Sequence, residues 1–539
     1  MGEYMGLWSL SNKSILIIDD FAQMRSMLVS MLKNYGPERV LQAANGKEAL
    51  EQINNNKFDI VLCDYNLGPG KDGQQILEEV RYLRLMPFSS LFIMITAENT
   101  NHMIMGAAEY MPDAYLSKPI NKNVLVSRLQ KLLTKKEILS PLSDALENND
   151  INKIIDCCNE LLKKNVKFKF EILKIKCEHL LKLKKFDEAL KISNEILDER
   201  KIPWAMNIVG QVNFNKKNYF EAENIFRKII ELDNKFMPAY DWLAKILDLN
   251  EDHAEAQNTL TDAVKISPKS VARQRSLADA CVKNNDLSSA ERARKNVVNV
   301  GKSSCLKKST DYTDLAEIYI NNGAHAKATE TLSETIKVFK SDEKVVLESS
   351  IKLSTAYKQL NNNYKYNTYV NSSLKILEKN NTLLHGEAAL ELARNCIDLG
   401  KLEKGKELLM SVAKEFYEDE EMIESINTIF AEAGLADEGK DIINNAKSEV
   451  IELNNKGVKL IKDGDIDEAV KLFQVAVKQM PGNITITLNI ATSLLLYMQK
   501  NGANNRTLDD VYHYLDVVLC KESNNTKALD IKQKCKALA

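Results

Sequence analysis

Asp64 ends an apolar, β-branched run, the FDIVLCD of FDIVLCDYNL from Phe58 to Leu67. Such a run predicts a buried parallel strand. In open α/β sheets chemistry gathers outside the carboxyl ends of the strands, so a carboxylate placed there projects into a crevice. Asp64 is thereby a candidate nucleophile, although a lone aspartate at a strand end often only begins a turn. Its neighbours decide the matter. The run SILII leads into Asp19 and Asp20, LFIMIT ends at Thr96, and AYLS leads to Lys118. Three carboxylates near one point repel one another unless a cation joins them, and hard oxygen donors of this kind suit Mg²⁺. Asp64 could then attack a phosphoryl donor in line, with Lys118 and the Thr96 hydroxyl holding oxygens of the transferring group. Each residue also has a plainer use, as a helix cap, a strand-end hydroxyl or a surface charge before Pro119. Their appearance together in strand order argues for one site.

The elements that must position these residues alternate. After SILII comes FAQMRSMLVSMLKNYG, with helical periodicity and a closing Gly36. Then follow VLQAA, the helix NGKEALEQINNN, the Asp64 strand, the loop GPGKDG and the helix QQILEEVRYLRL. The strand LFIMIT, a further helix through Tyr110, the strand AYLS and a last helix from about Lys122 complete five βα units. This order predicts a doubly wound, five-stranded parallel sheet whose strand ends share one edge.

IIDDFAQMR, VLCDYNLGPGKDG, MITAEN and AYLSKPI together resemble the CheY-like receiver domain of two-component response regulators, over residues 1–135. The resemblance implies a flavodoxin-like fold and phosphorylation of Asp64 by a sensor histidine kinase or phosphotransfer protein. It implies that Asp20 and Asp64, with the Asn66 backbone carbonyl, hold Mg²⁺ while Asp19 assists, and that Thr96 and Lys118 bind the phosphoryl group. Tyr115, three residues before Lys118, corresponds to the switch aromatic that turns inward when Thr96 moves. The loop from Asp64 to Gly73 is one residue longer than in the simplest members.

Past the receiver everything reads as helix. A helical connector is expected over 136–170, with a break at Pro141 and no Gly or Ser linker. Over 171–539 a loose motif recurs: a polar turn leads into a helix with a small residue near its start, at Ala189, Ala222, Ala256, Ala290 and Ala469. The first three steps are 33, 34 and 34 residues. Twelve positions earlier stand Gly210, Ala244, Ala278 and Gly457, small enough to let paired helices approach, while Phe226, Leu260 and Phe473 fill the space between. Pro268 and Pro481 end repeats. The pattern resembles the tetratricopeptide repeat, in which each helical hairpin buries its apolar face only by stacking on neighbours. It is clearest over 171–300 and 450–483. Over 302–450 it diverges, with Ala328, Gly405 and Gly439 as markers, and TKALDIKQKCKALA reads as a terminal capping helix.

Composition narrows the partners. Lys plus Arg is 73 and Asp plus Glu is 75, a formal charge of −2, which gives no global reason to expect nucleic acid or anionic lipid. Nine cysteines without a C-x-x-C pair signal neither disulfides nor zinc. No stretch approaches the roughly 18 apolar residues of a membrane span, and the start lacks a secretory leader, so a soluble cytoplasmic protein without membrane association is expected. Six histidines are dispersed, from His102 and His179 to His513, none spaced as a metal pair. Lys163 to Lys185 holds nine lysines against Glu171 and Glu178, without arginine, which suits a solvated helix face better than base recognition. The expected output is therefore protein binding by a signalling adaptor, not catalysis. Receivers with helical-repeat outputs resemble VieB-like adaptors, which implies as target another response regulator or a cyclic-di-GMP enzyme. A nucleic-acid-binding transcriptional regulator using the repeats is the alternative. The sequence specifies no oligomeric state.

Overall fold

The computed structural model describes residues 9–97, 110, 112–164, 167–502 and 504–538. The helix expected up to Tyr110, the Glu98 and Asn99 of MITAEN, and His102 lie outside the described residues. The chain forms two compact units, Met1–Asp311 and Tyr312–Ala539.

In the first unit β1 (Ser14–Ile18), β2 (Arg39–Ala43), β3 (Ile60–Asp64), β4 (Leu91–Thr96) and β5 (Ala114–Ser117) form a five-stranded parallel sheet in the order β2-β1-β3-β4-β5. The inner strands β1, β3 and β4 are buried along their whole length because alternate residues feed two apolar layers. Leu16, Ile18, Val61, Cys63 and Met94 pack with α2 (Gly46–Asn55) and α3 (Gly73–Tyr82). Ile15, Ile17, Ile60, Leu62 and Ile95 pack with α1 (Ala22–Lys33) and α4 (Lys122–Leu139). Asn45 and Asp72 cap α2 and α3 by accepting from the backbone N–H groups of Glu48 and Gln75 at 3.0 and 2.9 Å. This is the doubly wound, flavodoxin-like sheet that the alternation predicts.

The helix begun at Lys122 runs through residue 135 to Leu139. Pro141 then sits in a single 3₁₀ turn, Ser140–Leu142, where its missing N–H costs no helical hydrogen bond. Leu139 and Leu142 pack on Ile154 and Cys158 of the connector, so the chain turns without a flexible linker. After α5 (Ser143–Glu147) and α6 (Ile151–Lys164) come helical hairpins: α7 (Lys169–Lys182) with α8 (Phe186–Glu199), α9 (Pro203–Asn215) with α10 (Tyr219–Leu232), α11 (Met237–Leu249) with α12 (His253–Ile266), and α13 (Val271–Lys283) with α14 (Leu287–Gly301). The small positions do what their size allows. A Cβ on Gly210 would stand 2.6 Å from the Phe226 ring, and Ala222, Ala256 and Ala290 are buried at the same place in successive hairpins.

α15 (Ser309–Asn321) leads into the second unit, where α16 (His325–Val338), α17 (Glu343–Gln359), α18 (Asn363–Lys379), α19 (Gly386–Asp398), α20 (Leu402–Glu415) and α21 (Glu420–Glu432) follow. The diverged stretch thus folds as further hairpins. Its spacing stretches because the loop 302–308 is inserted and because α17 and α18 reach 17 residues each. α22 (Ala436–Asp463) is a single helix of 28 residues. Gly439 near its start packs under Phe430, and Gly457 near its end packs under Phe473 of α23 (Ile466–Gln479), so one helix serves two hairpins. No Gly or Pro interrupts Lys440 to Lys456, which leaves nothing to end the helix between them. α24 (Ile484–Asn501), α25 (Asn505–Lys521) and α26 (Thr526–Leu538) close the chain, with Ala528, Ile531 and Cys535 of α26 in the last apolar cluster. Among the described residues no helix is long and apolar enough to cross a membrane.

Candidate active site

Parallel strands end on one edge, and that edge gathers the polar residues. Asp64 is the last residue of β3 and lies beside Ile95, while Thr96 at the end of β4 lies beside Ser117. Asp19 and Asp20 follow β1, and Lys118 follows β5. The carboxylates of Asp19, Asp20 and Asp64 offer oxygens within 4.8 Å of one another. Lys118 Nζ bridges two of them, 2.9 Å from Asp19 Oδ2 and 3.0 Å from Asp64 Oδ2. The other oxygens are also held: Asp19 Oδ1 accepts from the Phe21 N–H and Asp64 Oδ1 from the Tyr65 N–H, both at 2.9 Å. Asp19 is 0% and Asp64 6% exposed, whereas Asp20 faces solvent. Thr96 is buried at the pocket's edge, and Asn66 is exposed two residues past Asp64. Tyr115 is half-buried on β5, and its hydroxyl has no hydrogen-bond partner among the described residues. Burial, with Tyr65 nearby, holds that phenol well above its usual range.

Charge in this pocket does not balance, since three carboxylates surround one ammonium. Burial pushes the Asp64 carboxyl up to about 6; Lys118 pulls it down, and Asp19 adds repulsion. For Lys118, burial opposes the ammonium, yet the hydrogen bonds and charges of Asp19 and Asp64 outweigh burial and raise its pKa. An excess of carboxylate oxygens at a partly dry point is the donor set that a hard divalent cation neutralises, so the residues present fit Mg²⁺. Among the described residues this is the one group of three or more acidic, histidine or cysteine side chains so placed.

Two supports carry no role in the sequence reading. Arg25 Nη1 donates to the backbone carbonyls of Asp19 and Asp20, at 2.6 and 3.3 Å, and so fixes the turn that carries both acids. Its spacing was a usable signal, because long helical side chains lean toward the helix N-terminus. The glycines of the loop after β3 are the second support. A Cβ on Gly73 would stand 2.2 Å from the Asp64 carbonyl oxygen, and Gly68, at φ +70°, lies beside Asp20. The Gly-rich loop was visible in the sequence, but not which glycine touched the acids.

Known proteins are similar to this chain over parts of its length. The response regulator receiver domain model matches residues 15–130, and the tetratricopeptide repeat model matches residues 238–270. The chain is 32% identical over 127 residues to the chemotaxis protein CheY-3 of Vibrio cholerae, covering 23% of this chain and 94% of that protein. It is also 32% identical over 124 residues to the chemotaxis protein CheY of Pseudomonas aeruginosa, covering 22% of this chain and 96% of that protein. A CheY-like receiver domain structure from Methanospirillum hungatei is similar at 29% identity and a TM-score of 0.22, over 24% of this chain and 98% of that one. With its strand-end acids carried on a CheY-like sheet ahead of tetratricopeptide repeats, the chain belongs to the response regulator receiver family.

Proposed function

We propose that the chain is a two-component response regulator in which Asp64 accepts a phosphoryl group from a sensor histidine kinase or phosphotransfer protein, and in which the repeats bind a protein target. The observation that carries this reading is the convergence of Asp19, Asp20, Asp64 and Lys118 at one sheet edge. A carboxylate oxygen of Asp64 attacks phosphorus; the bond to the donor's leaving group breaks, and that group departs with the electron pair. A mixed anhydride results. Lys118 stays charged and holds oxygen atoms beside the reacting centre, the Thr96 hydroxyl donates to the transferred group, and the Tyr65 N–H orients Asp64. Asp19, Asp20, Asp64 and the Asn66 carbonyl would hold Mg²⁺, which when bound would supply charge neutralisation at the site. The Thr96 hydroxyl and the half-buried Tyr115 form the switch that reports the modification.

On the output side, Asp241, Lys245, Arg273, Asp279 and Lys283 line a cleft of about 370 Å³ between repeat helices. Mixed charge over a small apolar floor suits a polypeptide ligand. Another response regulator or a cyclic-di-GMP enzyme fits this adaptor role, in the cytoplasm. The test is partner affinity of the full chain, with and without a phosphodonor, for wild type and Asp64→Ala. Phosphorylation is expected to shift the wild-type affinity and leave the variant unmoved; an unchanged wild-type affinity removes the proposed switch.

A further inference from the structure

Within the first unit, the receiver already has an occupant on its α3 side. Lys269, in the turn between α12 and α13, sets its Nζ 2.7 Å from Asp72 Oδ2, and the two residues are 197 positions apart in the chain. The same ammonium lies 4.7 Å from the centroid of the Tyr65 ring. Further along α3, the Glu78 carboxylate accepts from the Ser304 hydroxyl and, at 3.6 Å, from the Cys305 thiol. Glu78 is 2% and Ser304 3% exposed, so this is a sealed contact rather than a passing surface pair. Buried acids of this kind require donors, and those donors come from the segment that follows α14. Arg275 fixes that segment, since its guanidinium binds the Asp311 carboxylate and the Leu306 carbonyl.

The two receiver residues under Lys269 are tied to the acidic pocket. Asp72 caps α3 with its other oxygen, at the end of the loop whose Gly68 lies beside Asp20. Tyr65 directly follows Asp64 and donates its N–H to Asp64 Oδ1 at 2.9 Å. Its ring shares an apolar cluster with Tyr115. Lys269 therefore rests on the residue that hydrogen-bonds the phosphoacceptor and shares an apolar cluster with the switch aromatic.

We infer that the repeat segment from Lys269 to Cys305 is a built-in partner of the receiver, docked on its α3 face, and that this docking is coupled through Lys269 and Tyr65 to phosphorylation of Asp64. The inference rests on the reading of Asp64 as the phosphoacceptor. A phosphoryl group adds negative charge beside Tyr65, and the ammonium over that ring favours it. Docking therefore favours the modified state at equilibrium, and by reciprocity modification tightens docking.

The experiment uses the full chain as wild type, Lys269→Ala, Lys269→Arg and Ser304→Ala, with acetyl phosphate and Mg²⁺ as the probe. Two quantities are read: hydrogen exchange of the amides over 66–78, and the decay of the Asp64 phosphoryl group after the donor is removed. Lys269→Ala is expected to exchange and to decay about fivefold faster or more. Lys269→Arg should stay near wild type, and Ser304→Ala should loosen α3 with a smaller effect on decay. Identical exchange and decay in wild type and Lys269→Ala overturn the inference while the site reading stands. A wild-type chain that takes no phosphoryl group at Asp64 overturns the site reading, and the coupling with it.

Discussion

The receiver and the repeats bury polar groups in opposite ways. In the receiver, Asp19, Asp64 and Thr96 are buried and converge on one edge, each brought there by a different strand. In the repeats, many buried hydroxyls are scattered and satisfied within their own helix: Thr331 donates to the Lys327 carbonyl, Thr335 to Thr331, Ser350 to Val346 and Ser373 to Tyr369, all between 2.7 and 3.0 Å. A locally satisfied hydroxyl has spent its hydrogen-bonding capacity on its own backbone, whereas convergent carboxylates sharing one lysine hold unbalanced charge that a substrate or cation can use. Burial alone does not mark chemistry; burial with convergence does.

Lys118→Ala breaks the convergence most severely. It removes the one ammonium shared by Asp19 and Asp64, and labelling of Asp64 by a small phosphodonor is expected to slow about 10²-fold. A comparable loss on replacing a repeat lysine such as Lys352, paired at the surface with Glu317, would erase the contrast between the regions. Glycine substitutions sharpen it in the next rank. Gly73→Ala and Gly457→Ala each force a Cβ to 2.2 Å from an atom, the Asp64 carbonyl oxygen in one case and the Phe473 ring in the other. Each should cost about 1–3 kcal/mol in thermal or urea unfolding, but only Gly73→Ala should also slow labelling.

Asp64→Asn works in the other direction. The Asp64 carboxyl sits at about 6 in the folded chain, above the ordinary carboxylate value, so its charged form opposes folding. That penalty is absent below pH 4 and grows as pH rises to about 6. At neutral pH without Mg²⁺ the variant should gain on the order of 2 kcal/mol for the receiver, and the gain should shrink when Mg²⁺ is added. The smallest effect belongs to the second unit. Glu415 hydrogen bonds raise the His385 pKa against burial and the charge of Lys344. A raised histidine stabilises fully below its unfolded pKa, and that support is lost as pH climbs through the folded value. The second unit's unfolding free energy should fall slightly from about pH 6 upward, by less than about 1 kcal/mol, and His385→Gln should flatten the slope.

The receiver was legible because strand ends and chemistry coincide in the chain: SILII before Asp19 and LFIMI before Thr96 each mark a position in space. Repeat hairpins were legible where a glycine faced a phenylalanine, as at Gly210 and Phe226. The long helix Ala436–Asp463 was not, because a missing turn signal is weaker than a present one. Lys269 was the least legible, since nothing in a Pro-Lys-Ser turn announces a receiver partner 197 residues away. Long-range docking is set by surfaces formed only after both elements fold.

Phosphorylation of Asp64 is read from the mass of the intact chain after incubation with acetyl phosphate and Mg²⁺, followed by peptide mapping. One phosphoryl increment, mapped to Asp64 and absent from Asp64→Ala and from samples with Mg²⁺ chelated, is the predicted result. No increment in the wild type, or an increment that persists in Asp64→Ala, would show that Asp64 is not the phosphoacceptor.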